Sequence, residues 1–314
     1  MTPVTRKVRV KVPATSANLG SGFDTVGLAL DYHDELEFTL SADPVNTAAQ
    51  VMIEGEGEDT LPRDETHLVV STFRRACQTF GLGRVGFILQ AHNNIPQARG
   101  MGSSAEAIVA GIAAAAAFAQ DDDLNRDAVF ELAAAIEGHP DNVAPALLGG
   151  LTSSVFEDGK VYSVKRNVDE TLCFAAIVPD YKLLTEAARA ALPKEVSHKD
   201  AVYNLSRAAL VPAAFCEGRH DLLAIATEDK LHQPYRMPLM PGSKEVFDMA
   251  RLCGAKAVYV SGAGSTVMAV AEKADAEKFY TKLEKGLELL EGLDGCEAFT
   301  LLRLDADNTG ATVE

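Results

Sequence analysis

The sequence predicts an α+β fold in two domains, and three observations carry that reading. Strand-like and helix-like segments alternate, but some strands lie close enough in sequence to pair as hairpins, which a purely parallel sheet does not allow. The pattern restarts after about residue 168, dividing the chain into 1–168 and 169–314, each of ordinary domain size. Hydrophobic residues make up 47% and charged residues 24% of the 314, which suits a chain that buries a core rather than one that stays disordered.

In the first domain, alternation at Val8, Val10 and Val12 marks a strand that should end at Pro13. The small, polar stretch Ala14–Asp24 reads as a loop, and strands follow at Val26–Leu30 and Glu35–Leu40. Apolar residues at Leu68, Val69, Phe73, Ala76, Cys77 and Phe80 have helical spacing within Arg63–Phe80, with Gly81 as the stop. A strand at Val85–Ala91 leads into a loop, Asn93–Ser103, and then a long helix reaching about Gln120. Asp121–Asp123 reads as a turn, Asn125 as the cap of a helix at Arg126–Glu137, and His139–Asn142 as another turn. Val143–Leu148 and Leu151–Phe156 flank Gly149-Gly150.

In the second domain, Leu172–Val178 is a strand. Helical segments are expected at 183–192, 200–217 and 220–230, then a proline-rich loop at Pro234–Pro241 and a helix at 244–253. Strands at Ala257–Ser261 and Thr266–Ala271 are joined across Gly262-Ala263-Gly264. A helix at 275–290 and a strand at Glu297–Leu304 complete the pattern.

Charge and cysteine usage exclude several classes. Lys plus Arg is 29 and Asp plus Glu is 45, a net charge of −16. Such a surface repels nucleic acid and anionic membranes, so any bound anion needs a local device. The five cysteines (Cys77, Cys173, Cys216, Cys253 and Cys296) are odd in number and widely spaced. The histidines show no zinc-binding pattern. The longest apolar run, Ala107–Ala119, is far short of the ~20 residues that span a bilayer. Residues 1–12 lack the apolar core of a signal peptide. A reducing, cytoplasmic location is the expectation.

The local device is the stretch Pro96-Gln97-Ala98-Arg99-Gly100-Met101-Gly102-Ser103-Ser104-Ala105. Its glycines permit a tight turn and close backbone approach to a ligand, and the helix that follows offers unpaired N–H groups at its positive end. A plain turn with Ser103 as a cap also fits these residues. The dinucleotide fingerprint fits formally as Gly100-x-Gly102-x-x-Ala105, but Asn93–Arg99 separates the strand from the glycines. The Walker pattern is absent.

Read with three other segments, this loop resembles the GHMP small-molecule kinases, and the homoserine kinases among them. Pro13–Asp24 (PATSANLGSGFD) is similar to their first motif and Pro96–Ala105 to their phosphate loop. Glu137–Ala146 (EGHPDNVAPA) looks like a homoserine kinase segment, and Gly262–Val267 (GAGSTV) like the third motif. The four stand in the family's order across residues 13–267. The resemblance implies an N-terminal domain like ribosomal protein S5 domain 2 and a ferredoxin-like C-terminal domain. It also implies ATP, Mg2+ and L-homoserine as the reacting set, with O-phospho-L-homoserine as product on the route to threonine.

It further implies roles. The phosphate loop with Glu106 and His67 would hold ATP, His67 standing where the family often has an asparagine near adenine. Glu131 and Ser104 would bind the metal, which prefers hard oxygen ligands. Asn142 would orient the attacking hydroxyl, since an amide cannot act as a general base, and transfer would be direct and in line. Arg189, four residues after Thr185, and Arg236 would take the substrate carboxylate. Asp24 would take its ammonium, with Asn18, His139, Thr185 and Gly264 nearby. Without the resemblance, many of these residues would read as turn formers or solvated surface charges. The rivals are a related kinase for another small alcohol and a catalytically silent sensor. A homodimer is left open.

Overall fold

The computed structural model describes residues 6–41, 45–119, 125–292 and 298–314. Gln120, the expected turn Asp121–Asp123, Cys296 and Glu297 lie outside the described residues, as do residues 1–5 of the expected first strand.

The first sheet is built on two long antiparallel strands, β1 (Lys7–Ala17) and β2 (Val26–Leu40). Pro13 does not end β1. The register shifts between Pro13 and Ala14, and a bulge is where a strand tolerates a residue without an N–H. The strand therefore runs four residues into the segment expected to be loop. β2 likewise joins two expected strands into one. Its far half pairs with β4 (Phe87–Asn93) and its near half with β5 (Leu151–Glu157). β3 (Ala49–Gly55), not foreseen, pairs in parallel with β4 across helix α1 (Leu68–Thr79). β6 (Lys160–Arg166), also not foreseen, extends the sheet from β5.

With α1, three further helices cover this sheet: α2 (Ser103–Ala119), α3 (Arg126–Glu137) and α4 (Pro140–Leu148). Asn125 caps α3 by accepting from the Ala128 N–H at 3.1 Å. The expected turn His139–Asn142 is instead the start of α4, with Pro140 in its first turn, where a missing N–H costs nothing. The core beneath contains Phe38, Phe73, Phe87 and Phe118, linked by ring contacts with centroids 4.4 to 6.2 Å apart.

The second sheet contains β7 (Leu172–Pro179), β8 (Ala257–Val260), β9 (Val267–Glu272) and β10 (Phe299–Leu304). Its order is β10-β7-β9-β8, all antiparallel. With helices between β7 and β8 and between β9 and β10, this is the ferredoxin-like arrangement. β7 is buried on both faces. Cys173, Ala175 and Ile177 pack against helices α10 (Ser243–Cys253) and α11 (Ala276–Glu288). Phe174, Ala176 and Val178 point the other way, into a core shared with Leu19, Leu28 and Met101 of the first sheet's side. The period of two in one strand thus welds the halves together.

The intervening segment is more broken than its periodicity suggests. It forms α5 (Thr185–Ala190), α6 (His198–Ala208), α7 (Val211–Cys216), α8 (Leu223–Ala226) and α9 (Gln233–Arg236). Pro212 in the first turn of α7 separates it from α6, and α9 lies in the expected proline-rich loop. β10 does not end the pattern. A final strand, β11 (Thr312–Val313), returns to pair with β1.

Candidate active site

One cleft of about 360 Å³ gathers the phosphate loop, the start of α2, the α3–α4 junction, α5 and the β8–β9 turn. The loop's glycines are required by contact as well as by conformation. Gly100 and Gly102 both have φ of +77°. A Cβ on Gly100 would lie 2.2 Å from the Ser261 carbonyl oxygen, and one on Gly102 would lie 1.9 Å from Thr15 Oγ1. The loop is therefore seated directly on the first and third motifs. Ser261 Oγ donates to the Gly100 carbonyl at 2.6 Å, and Thr15 N–H to the Met101 carbonyl at 3.1 Å. Ser103 opens α2, whose first-turn amides lack intrahelical acceptors and carry the positive end of the helix dipole.

Not all of the expected nucleotide loop faces the cleft. Gln97, Ala98, Gly100, Gly102, Ser103, Ser104 and Glu106 line it, as does His67. Pro96, Met101 and Ala105 are buried away from it. Arg99 points elsewhere, donating from Nε to the Pro179 carbonyl at 2.9 Å and from Nη2 to that of Asp180 at 2.8 Å. It anchors the loop to the end of β7.

The two residues expected to hold the metal do not come together in the cleft. Glu131 is exposed on α3 and does not line the cleft. Glu137, six residues on and about 120° around the helix, does line it. Its Oε2 accepts from Ser104 Oγ at 2.9 Å, and burial raises its carboxyl above the ordinary range. No group of three His, Cys, Asp or Glu side chains suited to a metal exists among the described residues. The donor set on offer is one carboxylate and one hydroxyl, both hard oxygens beside a helix N-terminus. That fits Mg2+, which takes few protein ligands and completes its shell with phosphate oxygens and water.

Asn142 lines the cleft from the first turn of α4. Thr15 Oγ1 donates to its Oδ1 at 2.8 Å, which leaves the amide NH2 as the group available to a ligand. His139, at the α4 cap, bonds through Nδ1 to Asp141 Oδ1 at 2.6 Å. That bond raises the imidazole above its ordinary value.

Asp24 and Arg189 meet at the cleft in a two-pronged ion pair, with Thr185 on the same wall. Asn18 lines the cleft and is held at both ends of its amide. Its Oδ1 accepts from the Asp24 N–H at 2.9 Å and its Nδ2 donates to the Gly262 carbonyl at 2.8 Å. The same carbonyl accepts from Arg236 Nη1 at 2.8 Å. Arg236 is 2% exposed, lies 5.2 Å from the Phe23 ring centre, and is not part of the cleft lining. Burial, then the charge of Arg189, push its guanidinium down to about 10. Gly264 also stands behind the surface: its carbonyl backs Gly100, while Gly262 and Ala263 form the wall.

Sequence reasoning gave no role to two cleft residues, Glu137 and Asp34, or to Thr15, which lies behind the cleft and bonds Asn142. Asp34 stands on the inward face of β2 with Leu36 and Phe38, so an acid in a core register was the available signal.

The fold and the cleft describe a phosphoryl-transfer enzyme of the GHMP type, and comparison with known proteins agrees. Residues 67–150 match the GHMP kinases N-terminal domain family and residues 213–289 the GHMP kinases C-terminal family. The homoserine kinase of Streptomyces coelicolor is 44% identical over 308 residues, covering 98% of this chain and 94% of that protein. That of Clostridium beijerinckii is 39% identical over 307 residues, covering 98% of each. The crystal structure of homoserine kinase from Cytophaga hutchinsonii superposes with a TM-score of 0.86 at 26% identity, covering 100% of this chain and 99% of that one. The chain belongs to the GHMP kinases and, within them, to the homoserine kinase family. No helix among the described residues is long and apolar enough to cross a membrane.

Proposed function

We propose that this chain transfers the terminal phosphoryl group of ATP to the side-chain hydroxyl of L-homoserine, on the route to threonine in the cytoplasm. The observation that carries this reading is the pairing of two chemistries in one cleft. An anion-binding helix start lies in the same cleft as a carboxylate and a guanidinium, Asp24 and Arg189, suited to the two charges of an amino acid.

Phosphoryl transfer asks the protein for alignment and charge stabilisation more than for covalent help. The amides of Ser103–Ala105 would receive phosphate oxygens. Ser104 and Glu137 would hold Mg2+, which when bound neutralises charge on the phosphates. Asn142, with its carbonyl already taken by Thr15, would donate its NH2 to the substrate hydroxyl and aim a lone pair at phosphorus. No carboxylate at this position accepts the proton, so transfer would be in line, with the proton leaving late to phosphate or water. Arg189 would take the substrate carboxylate and Asp24 its ammonium. Arg236 would support Gly262 from behind, or reach the carboxylate only if Phe23 moves. The division at 168/169 would separate nucleotide handling from one wall of the amino-acid site.

The test is ADP release with ATP, Mg2+ and a panel of alcohols. Release with homoserine but not with mevalonate or galactose supports the reading, and no turnover of any amino alcohol overturns it.

A further inference from the structure

Beyond the phosphate and amino-acid ends, the cleft continues along Leu61, Leu68, Val69 and Ala107. Two side chains in this apolar stretch are buried and short of partners. Glu106 is 4% exposed and its Oε1 has no hydrogen-bond partner. His67 is 3% exposed and neither ring nitrogen has one. Buried polar atoms left open in this way call for an explanation, and a ligand is one.

Glu106 faces Asp34, which is 2% exposed, and the two carboxyl groups are within hydrogen-bonding reach. Asp34 Oδ1 accepts from the Asn94 N–H at 2.6 Å and the Ile95 N–H at 2.8 Å, which fixes the aspartate that Glu106 faces. What remains at Oε1 is an open acceptor one turn into α2 from the phosphate site.

We infer that Glu106 Oε1 accepts a hydrogen bond from the nucleoside part of the phosphoryl donor and so determines which nucleotide the cleft takes. This rests on the nucleotide reading above. The donor on the ligand is either the exocyclic amino group of the base or a ribose hydroxyl. An oxo group in the amino position would set acceptor against acceptor.

The experiment is equilibrium binding, by calorimetry, of ADP, IDP and 2′-deoxy-ADP to the wild-type protein, Glu106→Ala and Glu106→Gln. In the wild type, ADP should bind about tenfold tighter than IDP if the amino group is read, or than 2′-deoxy-ADP if the ribose is. Glu106→Ala should lose that preference. Glu106→Gln keeps an acceptor and can donate to Asp34, so it should retain the preference. Equal binding of all three nucleotides by the wild type, or an unchanged preference in Glu106→Ala, overturns the assignment alone. A wild type that binds none of them overturns the nucleotide reading as well.

Discussion

Asp24 and Arg189 hold one another by two hydrogen bonds, Nη1 to Oδ2 at 2.9 Å and Nη2 to Oδ1 at 2.8 Å, with their side chains 34% and 36% exposed. These are the two groups assigned to the opposite charges of the substrate. Each keeps the other neutralised, and a zwitterion can exchange places with both partners at once. A pair this exposed contributes little to stability, about 0–1 kcal/mol, which is consistent with the recognition role proposed for it.

Arg189→Ala should therefore raise the KM for homoserine by about ten- to a hundredfold, the worth of charge-assisted hydrogen bonds, while leaving the KM for ATP nearly unchanged. Initial rates with each substrate varied in turn measure this. A change confined to ATP would show that the carboxylate binds elsewhere.

Glu137 and Glu131 give a paired test on one helix. Glu137→Gln should lower metal-dependent turnover by at least about a hundredfold, with circular dichroism unchanged. Glu131→Gln should behave as wild type. The reverse outcome would return the metal role to the exposed residue.

The contrast between these two glutamates marks how far the sequence could be read. The phosphate loop, the α2 helix and the hairpin around Gly262 were legible because glycines and periodicity act locally. Which acid faces the cleft was not, since that depends on where Glu131 and Glu137 stand along and around α3 and on what α2 brings alongside. Arg236 illustrates the same limit. The resemblance implied a carboxylate ligand there, and the structure shows the side chain buried against Phe23 and Gly262. The long β1 was missed because a bulge absorbs Pro13, and β11 because two residues carry no period.

Asn142 should matter through its NH2 group. Asn142→Ala should reduce kcat by about a hundredfold through lost alignment. Asn142→Asp should not restore it, since a carboxylate there supplies no donor. Recovery in the aspartate variant, seen in single-turnover rates, would point to a general base instead.

The Asp34–Glu106 pair predicts a pH dependence of stability. Both carboxyl groups are raised by burial, Asp34 to about 6 and Glu106 well above its ordinary value. The folded state then holds more protons than the unfolded state above the ordinary carboxylate range. Stability falls as pH rises through that window, by up to about 1.4 kcal/mol per pH unit for each group. His92, whose charge opposes the shift on Asp34, moderates the fall. Glu106→Gln cannot titrate, so its melting temperature should approach that of the wild type near pH 4.5 and exceed it at pH 8. A gap that is constant with pH would contradict the buried pair.

The most direct test of the central claim is 31P NMR of the protein with ATP, Mg2+ and L-homoserine. A new phosphomonoester resonance should appear, matching O-phospho-L-homoserine and growing one for one with ADP. ATP loss without that resonance, or an equal phosphomonoester yield from mevalonate, would contradict the claim.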